Sequence, residues 1–184
     1  MISREEAIRL LEENIEAENM RKHCYASEVV LRAMAKKLGK NEEEWGLAGL
    51  LHDIDVEITN ADPHTHGPYA EKILQGKVTD EMMDAIVMHN EVATGKERTS
   101  EFQHALAAGE TITGLITATT LVYPDKKIAG VKAKSLTKRM KQKAFAASVK
   151  RENILECEKI GIPLPEFAEL SVNAMKEIAE VLGL

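Results

Sequence analysis

An imidazole and a carboxylate stand side by side at His52-Asp53, in the string Gly49-Leu50-Leu51-His52-Asp53-Ile54-Asp55, where an apolar run meets a polar one. His23 lies upstream, and His66, His89 and Glu110 follow. Imidazole nitrogens mixed with carboxylate oxygens suit Fe, Mn, Ni, Co or Zn, whereas Ca and Mg prefer oxygen donors. Such a set points to a divalent transition-metal centre, of one ion or two, that activates water for hydrolysis. Asp53 could bridge a pair of ions, because each carboxylate oxygen can bind separately. Glu110, in Ala107-Ala108-Gly109-Glu110-Thr111, is a charged residue among small apolar ones. A partly buried carboxylate there needs a cationic partner, and a metal would serve. His64, in a Pro-bearing loop, and His104, in a helix first turn, need no more than surface roles.

Helices must position these side chains. Ser3-Arg4-Glu5-Glu6 is a capping-box string, followed by Ile8, Leu11 and Ile15 at helical spacing. A second helix is expected from His23 to Leu38, with Val29, Val30, Ala33 and Met34 inward and Gly39 as its stop. A third runs from Glu42 to Asp53 behind an Asn41 cap. Residues 59–68 read as a loop, 68–75 as a short helix, and 80–90 as a helix started by Thr79. Residues 91–99 read as a loop. Ser100-Glu101-Phe102-Gln103 is a further capping box, opening a long helix to Leu121 that Pro124 ends. Helices are expected over 134–145 and 149–160, the latter stopped by Gly161, and over 166–182 after a turn bracketed by Pro163 and Pro165. No run alternates β-branched residues over a strand's length. The fold class is therefore all-α, a single-domain helical bundle over 1–184.

Composition narrows the function classes. With 44% hydrophobic residues and only 4% aromatic, the core must come from aliphatic side chains and the eight Met. No apolar run approaches the roughly 18–20 residues of a membrane span, and the N-terminus lacks the order of a signal peptide. Cys24 and Cys157 lie far apart and form no CxxC, so both are expected reduced, in a cytoplasmic protein. The net charge of −6 is uneven: residues 126–151 hold ten Lys or Arg and no acid, while the remainder has 14 basic and 30 acidic residues. That segment either draws in a phosphorylated substrate or is a solvated helical face. A nucleic-acid interface is the weaker reading, given the acidic whole and no reader motif.

The order His23, His52-Asp53, then an acidic residue on a later helix resembles the HD superfamily of metal-dependent phosphohydrolases, over roughly residues 20–121. His66-Gly67-Pro68 before Ala70-Glu71-Lys72-Ile73, and Ala85-Ile86-Val87-Met88-His89, resemble the additional histidines of members with two metals, such as those that hydrolyse symmetric dinucleoside tetraphosphates. The resemblance implies an HD-type bundle with its metal-site core over 20–121 and C-terminal helices over 134–184. One ion would be held by His23, His52, Asp53 and Glu110, and a second, bridged by Asp53, by His66 and His89. It also implies a phosphoester substrate, mostly a nucleotide in that family. Glu110 stands where the family usually has Asp. Val56 stands where several relatives carry a Lys or Glu. The nearest helpers are Asp55, as an acid/base or as the orienting partner of a ligand His, and Glu57.

Lys96 and Arg98, after His89, are the expected phosphate contacts, with Lys134 and Lys138 better read as surface residues. Rival readings are a metal- or nucleotide-binding module without turnover and an O₂-dependent di-iron enzyme. Apolar faces on the last helices leave a homodimer possible.

Overall fold

Why the chain folds as it does starts at its helix ends. In a computed structural model describing residues 1–184, helix α1 (Arg4–Asn14) begins at a reciprocal Ser3/Glu6 capping box. Helix α2 (Glu18–Leu38) ends where Gly39 adopts φ 68°, and α3 (Glu42–Leu51) begins where the Asn41 side chain accepts from Glu43 and Glu44 N–H. Helices α4 (Ala70–Leu74), α5 (Asp80–Met88) and the one-turn α6 (Glu91–Thr94) lead to α7 (Glu101–Leu121), opened by a second capping box between Ser100 and Gln103. A 3₁₀ turn (Ile128–Gly130), α8 (Ala133–Met140), α9 (Arg151–Ile154), a 3₁₀ helix (Leu155–Ile160), α10 (Leu164–Glu177) and α11 (Ala179–Leu182) complete the chain, without a strand.

The all-α expectation holds, with shifted boundaries. The second helix starts at Glu18, so His23 lies in its second turn and not at its start. The third stops at Leu51, leaving Asp53 in the turns that follow. The expected helix over 134–145 ends at Met140, and 149–160 is one α-turn followed by a 3₁₀ helix. Pro163 caps the last helix and Pro165 sits in its first turn, where a missing N–H costs nothing; the helix breaks at Ile178.

The two 21-residue helices, α2 and α7, form the axis of the bundle. Helix α3 packs along α2, α5 bridges α3 and α7, and α10 lies across α2, α7 and α8. One contiguous hydrophobic core runs from Ala7 to Leu184, and within it Trp45 of α3 stacks on Phe102 of α7 with centroids 4.9 Å apart.

The α2–α3 contact is close enough to exclude side chains. A Cβ on Gly49 would lie 2.7 Å from the Ser27 carbonyl oxygen and 3.0 Å from Glu28 N, both backbone. Gly49→Ala is expected to cost about 1–3 kcal/mol by overpacking, and each kcal/mol should lower the melting temperature by about 2–4 °C in a chain of this size. Thermal unfolding followed by circular dichroism would check it. An unchanged melting temperature would mean that α2 and α3 are not in this contact. Since the Gly49 carbonyl also receives a bond from His52, this packing bears on the site.

Candidate metal centre

Two helix ends deliver two histidines in the same way. His52 is the C-cap residue of α3, and its Nδ1 lies 2.8 Å from the carbonyl oxygen of Gly49. His89 is the C-cap residue of α5, and its Nδ1 lies 2.5 Å from the carbonyl oxygen of Ile86. A carbonyl only accepts, so both rings carry a proton on Nδ1, which leaves Nε2 as the atom able to coordinate. The exposed carbonyls of a helix C-terminus also favour a cation nearby.

The other two rings are pinned alike. His66 donates from Nδ1 to Asp55 Oδ1 at 2.8 Å. Thr113 Oγ1 donates to the Glu110 carbonyl at 2.7 Å, which leaves it to accept from His23 Nδ1 at 2.9 Å. All four Nε2 atoms converge on Asp53. Its Oδ2 lies 3.3 Å from His52 Nε2 and 3.5 Å from His23 Nε2; its Oδ1 lies 3.1 Å from His66 Nε2 and 3.4 Å from His89 Nε2. Two triads that could each hold a metal ion result, His23/His52/Asp53 and Asp53/His66/His89, sharing the one carboxylate.

Within each triad the Nε2 atoms face one another, His23 and His52 at 3.2 Å and His66 and His89 at 3.0 Å. Facing lone pairs repel unless a cation lies between them. Two donors each about 2.0–2.1 Å from an ion, at tetrahedral to right angles, stand roughly 2.8–3.4 Å apart. The donor set therefore fits divalent transition-metal ions. Without metal, protons must serve. Burial disfavours the imidazolium of His66, but Asp53 and Asp55 outweigh it and push its pKa up to about 10. Burial also opposes the charge on Asp53, yet the surrounding imidazoles hold its carboxyl well below the usual range. At His23 burial prevails and lowers the pKa.

Glu110 enters from the middle of α7. Its Oε2 is 3.8 Å from His23 Nε2, beside the first triad but outside it, and its Oε1 accepts from the Thr111 hydroxyl. The cluster floors a cavity of about 350 Å³ whose walls combine Asn90, Ser148, Lys150 and Asn153 with Ala61, Pro63 and Val149. A larger groove of about 550 Å³ between α2 and α10 mixes Lys and Glu side chains and holds no donor cluster.

Several expected residues lie elsewhere. Asp55 is not placed for acid/base work: it is fully buried, and its oxygens accept from His66 Nδ1 and, at 2.8 Å, from Gly67 N–H. It orients a candidate ligand. Glu57 accepts from Glu16 and Ala17 N–H at the α1–α2 turn. Arg98 is not a phosphate contact. Its guanidinium is buried, donating to the carbonyls of Met88 and His89 and to Glu156. Lys96 is exposed on a different cavity, beside Glu71 and Asp80. His104 is not a surface residue: it is half-buried, with Nδ1 2.9 Å from Glu156 Oε2. Lys150 is the cavity-lining cation that sequence reasoning missed; the acid-free run 126–151 was the available signal, without indicating which of its ten cations faces the site.

Residues 20–121, more than half the chain, match the family model described as the HD domain. The chain belongs to the HD-domain family. Membership places it in the superfamily of metal-dependent phosphohydrolases, and His/Asp groups stand where they could hold divalent ions. Neither the curated proteins nor the solved structures include a match to this chain. No helix is long and apolar enough to cross a membrane.

The role of Asp55 can be tested directly. Asp55→Asn would set an NH2 against either His66 Nδ1–H or Gly67 N–H, because these two donors face different oxygens of the carboxylate. If each triad takes an ion, the variant is expected to weaken the one at His66 and His89 about 10- to 100-fold and to leave the one at His23 and His52 in place. Titration against a competing chelator measures this. Full retention of both ions with a collapse in turnover would return Asp55 to an acid/base role.

Proposed function

We propose that this HD-domain protein is a phosphohydrolase that binds two divalent transition-metal ions and cleaves a phosphate ester of a small substrate, a nucleotide or similar compound. The observation that carries this reading is the shared Asp53: its two oxygens each complete a separate triad. His23, His52 and Asp53, with Glu110 alongside, would hold one ion; Asp53, His66 and His89 would hold the other. Bound there, such ions acidify a coordinated water, from a pKa of about 15.7 toward about 7, and draw charge from a phosphoryl oxygen. The protein's part is to keep four imidazoles in one tautomer and aimed at one carboxylate, which the Gly49, Ile86, Asp55 and Thr113 partners do. The polar side chains in the cavity wall, Asn90, Ser148, Lys150 and Asn153, suit a phosphate group. The walls include no Phe, Tyr or Trp, so the preference for nucleotides rests on the family resemblance and not on a stacking surface.

One observation favours a second reading, a catalytically weak metal- or nucleotide-binding module. Both carboxylates nearest His52-Asp53 in sequence, Asp55 and Glu57, are tied up in hydrogen bonds. Protein loaded separately with Mn, Fe, Zn, Co and Ni, assayed for phosphate release on a panel of mono- and diesters, separates the two. Turnover is expected that disappears in His52→Ala. Stoichiometric metal without release of phosphate from any ester would favour the binding module.

A further inference from the structure

The C-terminal part of the chain contributes a wall to the metal cavity, through a loop that has no regular structure of its own. Between α8 and α9 the backbone of residues 143–148 runs as successive turns, with Ala146 held at φ 45°. One side chain holds it together. The Arg151 guanidinium donates at 2.7 Å to the carbonyls of both Ala146 and Val149, and also to those of Phe145 and Gln142. Val149 in turn seats against α7 at Gly114, where an added Cβ would stand 3.3 Å from Val149 Cγ2. Gly114 is one turn beyond Glu110. The loop is thus fixed to the helix that carries Glu110 and brings Ser148 and Lys150 to the cavity that Asp53, His66 and His89 floor.

Lys150 differs from the other cations of its segment. Lys126, Lys127, Lys134, Lys138, Lys141 and Lys143 are exposed and do not line this cavity. Lys150 lines it, is exposed, and forms no ion pair, although the cavity holds Asp53 and Glu110. An unpaired ammonium across from a metal cluster is suited to the outer oxygens of a phosphate whose inner oxygens face the ions. Arg151, with its guanidinium already committed to carbonyls, cannot take that role; it presents the loop instead.

We infer that Lys150, on the loop stapled by Arg151, is the substrate-phosphate contact of this site, a role resting on the phosphohydrolase reading above. The test uses metal-loaded full-length protein. Inorganic phosphate binding is measured by titration calorimetry, and p-nitrophenyl phosphate hydrolysis is followed with metal content determined in parallel. Lys150→Gln is expected to weaken phosphate binding and raise KM by about tenfold, with kcat within about twofold and metal content unchanged. Lys150→Arg should restore most of both, since it keeps the charge.

Unchanged phosphate affinity and KM in Lys150→Gln, with wild type active, would overturn this inference and leave the phosphohydrolase reading standing. A fall in kcat with KM unchanged would equally overturn it. If metal-loaded wild type neither binds phosphate nor releases it from any ester, both readings fall together.

Discussion

Asp53→Ala is expected to leave the protein unable to retain either ion and without phosphatase activity, while His52→Ala and His89→Ala each lose one ion and keep the other. The asymmetry follows from the way the donors are shared. Oδ2 of Asp53 faces His23 and His52, and Oδ1 faces His66 and His89, so a single carboxylate serves both triads. Removing it leaves each half with two ring nitrogens, 3.2 Å or 3.0 Å apart, and no anion between them. Removing His52 leaves the other half intact, with His66 and His89 still oriented by Asp55 and the Ile86 carbonyl. Elemental analysis after loading gives the stoichiometry. Thermal unfolding gives an independent readout, because an ion that binds only the folded chain stabilises it by about 4 kcal/mol at a free concentration near 1,000 times its dissociation constant. Added metal should therefore raise the melting temperature of wild type and not that of Asp53→Ala. Asp53→Ala that still held both ions would mean that the histidines alone form the sites. Metal-free wild type after loading would remove the metal centre altogether.

Glu110→Ala bears on a narrower point. Its Oε2 lies 3.8 Å from His23 Nε2, against 3.5 Å for Asp53 Oδ2, so it stands just outside the first triad. Glu is one methylene longer than the Asp usual in the family, and the Thr111 hydroxyl holds its other oxygen. The expected result is weaker binding of the ion at His23 and His52, not its loss, measured by chelator competition. Unchanged affinity would assign Glu110 to the cavity wall alone.

How much of this was legible in the sequence depends on where each residue's partner lies. The helices were legible because their signals are local: Ser3 and Ser100 each cap within three residues, and Gly39 supplies the left-handed conformation its own position requires. His52 and Asp53 stood out because polar groups ended an apolar helix, and the family pattern added His23, His66, His89 and Glu110. Asp55 could be read as orienting partner or acid; only the fold decides, since its partners are the ring of His66 and the amide of Gly67, in the turns beyond. Gly67 itself is held at φ 96°, and a Cβ there would lie 3.2 Å from the Val87 carbonyl, so its conformation and its approach to α5 both depend on contacts the sequence does not display. Lys150 reaches the cavity only because a loop folds onto Gly114, a tertiary event that charge patterning cannot locate.

Arg98 is the sharpest case, and it leads to the second large effect. In sequence it is a cation in a polar stretch just after a candidate ligand, which favours a substrate contact. In the fold, Glu156 arrives from 58 residues away and closes over it. The Arg98 side chain is 3% exposed and that of Glu156 8%. Nε and one terminal nitrogen donate to the carbonyls of Met88 and His89 at 3.0 and 2.8 Å, the other terminal nitrogen donates to Glu156 at 2.8 Å, and His104 engages the second Glu156 oxygen. The network fixes the backbone of His89, and through it one nitrogen donor. Arg98→Met would strand a buried carboxylate and two carbonyls, a loss of about 3–5 kcal/mol, which at about 2–4 °C per kcal/mol lowers the melting temperature by roughly 6–20 °C. Metal affinity at the His66/His89 half should fall as well, since His89 loses the support of its carbonyl. Pairing Arg98→Met with Glu156→Leu removes the stranded charge and should recover part of the stability, because an apolar replacement of a buried pair is often tolerated. A substrate contact would behave oppositely: Arg98→Met would then keep its melting temperature and raise KM, and the buried network would have to be abandoned as the residue's role.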